Sequence, residues 1–296
     1  MMLAQLVVNS LLLGGLYGLV GVGLSLVWGI TNILNFAHGG MVMLGAYITY
    51  WLFALYGVDP FVSIPVSMAL LFVFGIAVFY LLLAGVLKRS HFGFRTLLLM
   101  FAVEMFMADA ATLAWTADFR SVKPSYAGRS LQIGHVIVPL VDLAVVLVAA
   151  AMVLALWLFL RRSRIGHAIL ATGLDPEAAQ LMGIGVQRIY ALTFGIGAGL
   201  AGAAGSLVAT TTAINPFVGG TYTFLAALTA IAGGLGSIPG VMIGGVVVAG
   251  AETLGSVLMS PAYRMFVSFV VLVLVLLMRP TGVLGGRFFG QIEAEE

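Results

Sequence analysis

Runs of apolar residues separated by short polar or glycine-bearing breaks follow one another at about 3–30, 38–56, 60–87, 93–117, 136–160, 190–213, 218–235, 240–258 and 262–279. About 20 apolar residues in a helix cross a hydrocarbon layer of roughly 30 Å, so each run is a candidate crossing. The pattern predicts an all-α polytopic membrane protein made of a single transmembrane domain over residues 1–296. Gly, Asn and Pro interrupt the runs near Asn35–Gly40 and Asn215–Gly240, which leaves room for eight to ten crossings, some broken or re-entrant. No basic stretch precedes the first run and no small-residue cleavage site follows it, so Leu3 to Ile30 reads as a retained span.

Composition narrows the class further. With 62% hydrophobic and 8% charged residues, and a mean hydropathy of +1.16, the chain cannot build a water-facing globular surface. Thirty-eight glycines suit helices that approach closely in a bundle. Cysteine is absent, which removes disulfides, thiolate metal sites and cysteine nucleophiles. His38, His91, His135 and His167 lie on separate segments without ligand spacing, and no Ser-His-Asp pattern emerges, so neither a metal centre nor a catalytic site is expected. Nothing points to nucleic acid. Alternating the crossings gathers Lys88, Arg89, Arg95, Arg161, Arg162, Arg164, Arg188, Arg279 and Arg287 on one side and Arg120, Lys123, Arg129 and Arg264 on the other. The richer side is cytoplasmic by the positive-inside rule, which puts the amino terminus outside and the QIEAEE tail inside. The longest outer loop is then about 118–135, and the long cytoplasmic one about 161–189.

A shift of 180 residues superimposes Gly15 on Gly195, Asn35 on Asn215, Gly39–Gly40 on Gly219–Gly220 and Thr49 on Thr229. Five crossings separate the copies, and an odd number inverts the second relative to the first. Such an inverted repeat suits a transporter that rocks around a central path. Short glycine identities also arise by chance.

One stretch, RIGHAILATGLDPEAAQLMGIG (164–185), reads like soluble protein. Asp175 can cap a helix, Pro176 suits its first position, Glu177 complements its positive end and Gly183 closes it, which predicts a two-turn helix from Pro176 to Met182. A helix this short needs outside support. It either lies on lipid headgroups or fits a groove on a cytoplasmic partner. Lys88 and Lys123, the two lysines, sit in no GxxxxGK loop, so the chain is not its own P-loop ATPase.

NILNFAHGG (32–40), DPEAAQLMGI (175–184), INPFVGG (214–220), AGGLGSIPGVMIGG (232–245) and RPTGVLGG (279–286) resemble, in order, the motifs of the membrane permease of bacterial branched-chain amino-acid ABC importers. The resemblance implies a multi-pass subunit of the bacterial inner membrane that translocates branched-chain amino acids or a related small polar solute. It also implies ATPase subunits holding ATP and Mg, a second related permease forming a heterodimer, and an external binding protein. No cofactor is implied in this chain. On that likeness Asp175, Pro176, Glu177, Ala178, Ala179 and Gly183 belong to the ATPase-coupling loop. The wider importer pattern EAA-x-x-x-G is met at Glu177–Ala179 and Gly183, but its later Ile-x-Leu-Pro portion is absent.

Glu104 and Glu252 are the deeper of four acids at or near membrane depth, with Asp109 and Asp142 nearer an interface. A carboxylate there must face a cavity or find a partner. Glu104 and Glu252 are candidates for the translocation path, or for hydrogen bonds between helices. Asn35, His38 and Asn215 stand at the breaks, where they cap helix ends or meet a solute. Arg120, Lys123, Arg129 and Arg264 are candidates for docking a binding protein, or plain surface charge. A stand-alone secondary carrier or channel is the competing class; it would leave the 164–185 loop without a purpose.

Overall fold

The computed structural model describes residues 2–87 and 92–284. Lys88, Arg89, His91, Arg287, the last two glycines of RPTGVLGG and the acidic tail lie outside them. Each apolar run becomes a helix. They are α1 (Met2–Thr31), α2 (His38–Tyr56), α3 (Pro60–Val78), α4 (Ala84–Val86), α5 (Phe92–Trp115) and α6 (Leu140–Arg162), then α7 (Arg164–Leu174), α8 (Pro176–Leu181), α9 (Val186–Thr211), α10 (Val218–Gly233), α11 (Ile238–Leu258) and α12 (Arg264–Met278). A π-helical turn, Phe79–Leu83, joins α3 to α4, so Pro60–Val86 is one span. Among the described residues seven helices are long and apolar enough to cross a membrane, and Val218–Gly233 and Arg264–Met278 are shorter apolar helices. This is the all-α polytopic architecture expected.

Local chemistry sets the boundaries. Asp59 caps α3 by accepting the Phe61 amide at 2.9 Å, with Pro60 at the first position. Gly57, at φ +64°, ends α2 in the left-handed conformation that a Cβ disfavours. The segment read as a plain outer loop carries structure: β1 (Ser130–Ile133) pairs antiparallel with β2 (Val136–Pro139), and α6 starts only at Leu140. The Gln5 side chain imitates a strand, donating to Ile137 O and accepting from Ile137 N, both at 2.9 Å, and so pins this hairpin to the start of α1. Arg120 and Ile214 exchange backbone hydrogen bonds that tie the same loop to the end of α9. One end of the bundle is thus the hairpin end, and the opposite end carries α7 and α8.

The internal echo is realised in three dimensions. α1 and α9 stop at Thr31 and Thr211, α2 and α10 begin at His38 and Val218, and α3 and α11 stop at Val78 and Leu258, each pair 180 residues apart. Both breaks use the same turn, with His38 N bonded to Asn35 O at 3.2 Å and Val218 N to Asn215 O at 3.3 Å. The packing interlaces the copies: α1 lies along α11 and α9 along α3. The copies are inverted, since α2 runs to the hairpin end, where Tyr50 meets Arg120, while α10 runs the other way to a turn in which Gly236 N bonds Ser25 Oγ near the far end of α1.

Glycines four residues apart serve these seams inside the subunit. Gly14 and Gly18 of α1 face Val246 and Met242 of α11, and Gly195 and Gly199 of α9 face Ile76, Phe72 and Met68 of the α3 span. Gly240 and Gly244 of α11 meet Gly233 of α10. α1 and α9 form the buried centre, whereas α5 and α6 lie at the periphery with most of their surface uncovered.

Candidate functional site

The polar stretch between α6 and α9 folds into two helices rather than one. Ser163 Oγ accepts the Gly166 amide at 2.8 Å and starts α7, a helix the sequence reading missed; its signal is the three-residue spacing of Gly166, Ile169 and Thr172, all buried. Asp175 Oδ1 then accepts from Glu177 N at 2.9 Å and Ala178 N at 3.0 Å, with Pro176 at the first position of α8. Gly183, at φ +83°, closes it: its amide bonds Gln180 O and that of Ile184 bonds Ala179 O, both at 3.0 Å. The regular helix ends at Leu181, one residue short of the expected Met182.

Support comes from behind. α7 packs on α6, α1 and α9, and α8 packs on α7 and α9. Ala179 is 4% exposed against this base, while Leu181 and Met182 stand 89% and 83% exposed. An apolar tip is therefore held out from a braced helix pair; Asp175, Pro176, Glu177 and Ala178 line its exposed flank.

The two helix breaks meet inside the bundle. His38 Nε2 donates to Val20 O at 2.9 Å, so α2 begins well within the length of α1 rather than at its end. A Cβ on Gly39 would collide with Gly219 O, so the α2 and α10 N-termini touch backbone to backbone. Thr223 of α10 bridges them: its Oγ1 accepts from Gly39 N and donates to Phe36 O, both at 2.9 Å. Glu104, midway along α5, completes the junction. Its Oε2 accepts the Gly40 amide at 2.7 Å, and a Cβ on Gly219 would stand 2.5 Å from its Oε1. Two positive helix ends thus face one carboxylate. Beside it lies a cavity of about 320 Å³ whose lining includes Asn35, Phe36, Phe101, Glu104, Thr223 and Phe224. Asn35 is 1% exposed and its Oδ1 has no hydrogen-bond partner.

The other path candidates are arranged differently. His38 is enclosed between α1 and α9 near Gly23 and Gly197 and is not among the residues that line that cavity. Asn215 uses its Oδ1 locally, on Phe217 N at 3.1 Å, to shape the second break. Glu252 accepts the Tyr17 hydroxyl at 2.7 Å, joining α11 to α1. It borders a separate cavity of about 520 Å³ at the hairpin end, with Gln5, Asn9, Asp142, Ser256 and Arg264. Glu104 and Glu252, grouped by depth in the sequence, therefore do not share a wall.

Of the four cations read as outer from the sequence, Arg120 is committed internally. It donates to Trp115 O at 2.7 Å and Tyr50 Oη at 3.3 Å and lies 5.2 Å from the Tyr50 and Trp51 ring centres. Lys123 and Arg129 are exposed on the loop, and Arg264 borders the Glu252 cavity. In the same loop the Tyr126 hydroxyl donates to Asp59 Oδ2 at 2.8 Å; burial and that carboxylate push the Tyr126 pKa upward.

Comparison with known proteins adds a family. Residues 6–276 match the model described as "Branched-chain amino acid transport system / permease component". The chain is 34% identical over 295 residues to the high-affinity branched-chain amino acid transport system permease protein BraD of Pseudomonas aeruginosa, covering 95% of each. It is 34% identical over 292 residues to the permease protein LivH of the corresponding Escherichia coli K12 system, again covering 95% of each. A probable branched-chain amino acid transport permease LivH of Methanocaldococcus jannaschii is 26% identical, covering 94% of this chain and 91% of its own. No solved structure matches.

Proposed function

From the premise that this chain belongs to the branched-chain amino acid transport permease family, we propose that it is one membrane-spanning half of an ATP-driven importer. Separate ATPase subunits, holding ATP and Mg, dock on the α7–α8 knob from the cytoplasm. A binding protein hands over the solute at the hairpin end, and a second related permease completes the pathway. The setting is the bacterial inner membrane, and the solute is a branched-chain amino acid or a close small polar relative, in line with the names of the relatives.

The observation that carries this reading is the braced apolar tip. Among the described residues none covers Leu181 and Met182, whereas α7 packs on α1 and α9 and α8 on α7 and α9. Close-packed interiors transmit displacement instead of absorbing it. A push on the tip therefore reaches α1 and α9, the two helices that lead into the breaks. The exposed cations Lys123 and Arg129 are available at the hairpin end to orient a delivering protein. Arg120 is not, since its guanidinium holds the loop together.

Replacing Leu181 and Met182 together by Asp tests the reading, because both are exposed and their loss leaves the fold alone. Normal insertion, with loss of ATPase co-purification and of uptake, is the expected result. Unchanged uptake would sink it. The purified chain alone in liposomes should transport nothing on an ion gradient; transport there would favour a stand-alone carrier.

A further inference from the structure

Resting on the reading of the chain as a solute-conducting permease, we propose that Glu104 receives the ammonium group of the solute, in the cavity between the α2 and α10 N-termini. That assigns the pocket a ligand class: a primary ammonium on a short apolar body. Four observations converge on it.

First, the wall presents unfilled acceptors. Among the described residues the Gly40 amide on Oε2 is the hydrogen bond Glu104 receives, and Asn35 Oδ1 is buried without a partner. An ammonium carries three donors and no acceptor, which suits such a wall. Second, three of the donors nearby are already engaged: the Gly39 amide on Thr223, the Thr223 hydroxyl on Phe36 O, and the Gly40 amide on Glu104 itself. The positive helix ends that would otherwise draw an anion face the protein's own carboxylate, so an anionic solute meets repulsion. Third, aromatic rings flank the carboxylate. Phe36 and Phe101 pack edge to face with centroids 6.4 Å apart, and Phe224 closes the same cavity; ring faces attract cations. Fourth, Leu24, Leu34 and Ala227 supply an apolar remainder, and about 320 Å³ is the small end of the range for ligand pockets. The pocket also lies where the inverted copies touch, so any rocking of one copy against the other changes its shape.

Glu104→Gln keeps an oxygen for the Gly40 amide and removes the charge. In the complete reconstituted importer, supplied with leucine-loaded binding protein, this variant is expected to lose leucine uptake by about tenfold to a hundredfold, the worth of a charge-assisted hydrogen bond. ATP hydrolysis and thermal stability should stay near wild type, and Glu104→Asp should restore part of the uptake. Calorimetric titration of the detergent-purified permease pair gives a second reading. Isopentylammonium should bind wild type and fail to bind Glu104→Gln, while 4-methylpentanoate, which lacks the ammonium, should bind neither.

Wild-type uptake in Glu104→Gln overturns the assignment. So does loss of uptake together with lowered thermal stability and unchanged isopentylammonium binding, which would make Glu104 structural. If wild type itself shows no ATP-dependent uptake, the importer reading fails, while charge-dependent isopentylammonium binding would still uphold the pocket.

Discussion

Consider an added methyl group at Gly245, on the seam between α11 and α1. A Cβ there would stand 2.5 Å from Gly14 O, 2.6 Å from Gly18 N and 2.9 Å from Gly18 Cα, where ordinary contact begins at 3.4 Å. All three are backbone atoms of a helix, so no rotamer change relieves the clash, and the helices must part by about 0.9 Å. Overpacking of this kind costs about 1–3 kcal/mol. The same parting stretches the Tyr17–Glu252 bond from 2.7 Å to beyond hydrogen-bond range, adding about 1.5–3 kcal/mol for a bond to a charged group. The higher helix propensity of Ala returns at most about 1 kcal/mol. A net loss of about 1.5–6 kcal/mol is therefore expected for Gly245→Ala. Gly250 on the same helix is the control: its Cβ would meet Ser10 Oγ at 3.6 Å, an ordinary contact, so Gly250→Ala should be neutral or gain up to about 1 kcal/mol. Unfolding by SDS in mixed micelles, followed by tryptophan fluorescence, reads both. Equal stability of the two variants would refute the argument that this seam is set by backbone contact.

Three further outcomes follow from the contacts. Tyr17→Phe leaves the buried Glu252 without its donor and should cost about 1.5–3 kcal/mol in the same assay; Glu252→Gln in that background should recover part of it, because an amide tolerates burial better than an unpaired carboxylate. Asp175→Ala removes both acceptor bonds at the start of α8, a loss of about 1 kcal/mol confined to the knob, and should lower ATP-driven uptake several-fold at unchanged membrane content. Arg120→Ala removes the bonds to Trp115 and Tyr50 and the stacking on Tyr50 and Trp51, so limited proteolysis should cut the 116–129 segment faster while knob-directed ATPase binding persists.

What the sequence made legible is what local pattern encodes. Apolar runs located the helices, Asn35 and Asn215 with their glycine pairs marked both breaks, and Asp175-Pro176 and Gly183 framed α8 almost to the residue. The 180-residue echo pointed to copies whose helix ends coincide. Long-range partners were out of reach. Nothing near Tyr17 announces Glu252, 235 positions away, and nothing near Glu104 shows that α5 delivers it to the α2 N-terminus. The hairpin was hidden because its strands hang on the Gln5 side chain from the far end of the chain. α7 was hidden because Gly166 and Gly173 weaken its helical pattern, and its stability comes from packing on α1, α6 and α9.

The absence of cysteine makes the central claim directly measurable, since a single introduced thiol reports alone. Leu181→Cys at the knob, with Leu113→Cys as a control 90% exposed near the hairpin end of α5, can be treated in the assembled importer with a short cross-linker whose maleimide takes the thiol and whose succinimidyl ester takes a partner lysine amine. The account predicts that Cys at 181 cross-links to the ATP-hydrolysing subunit, that its yield changes with nucleotide, and that Cys at 113 does not cross-link to it. No cross-link from 181, together with full ATP-driven uptake after a bulky maleimide is attached there, would contradict it.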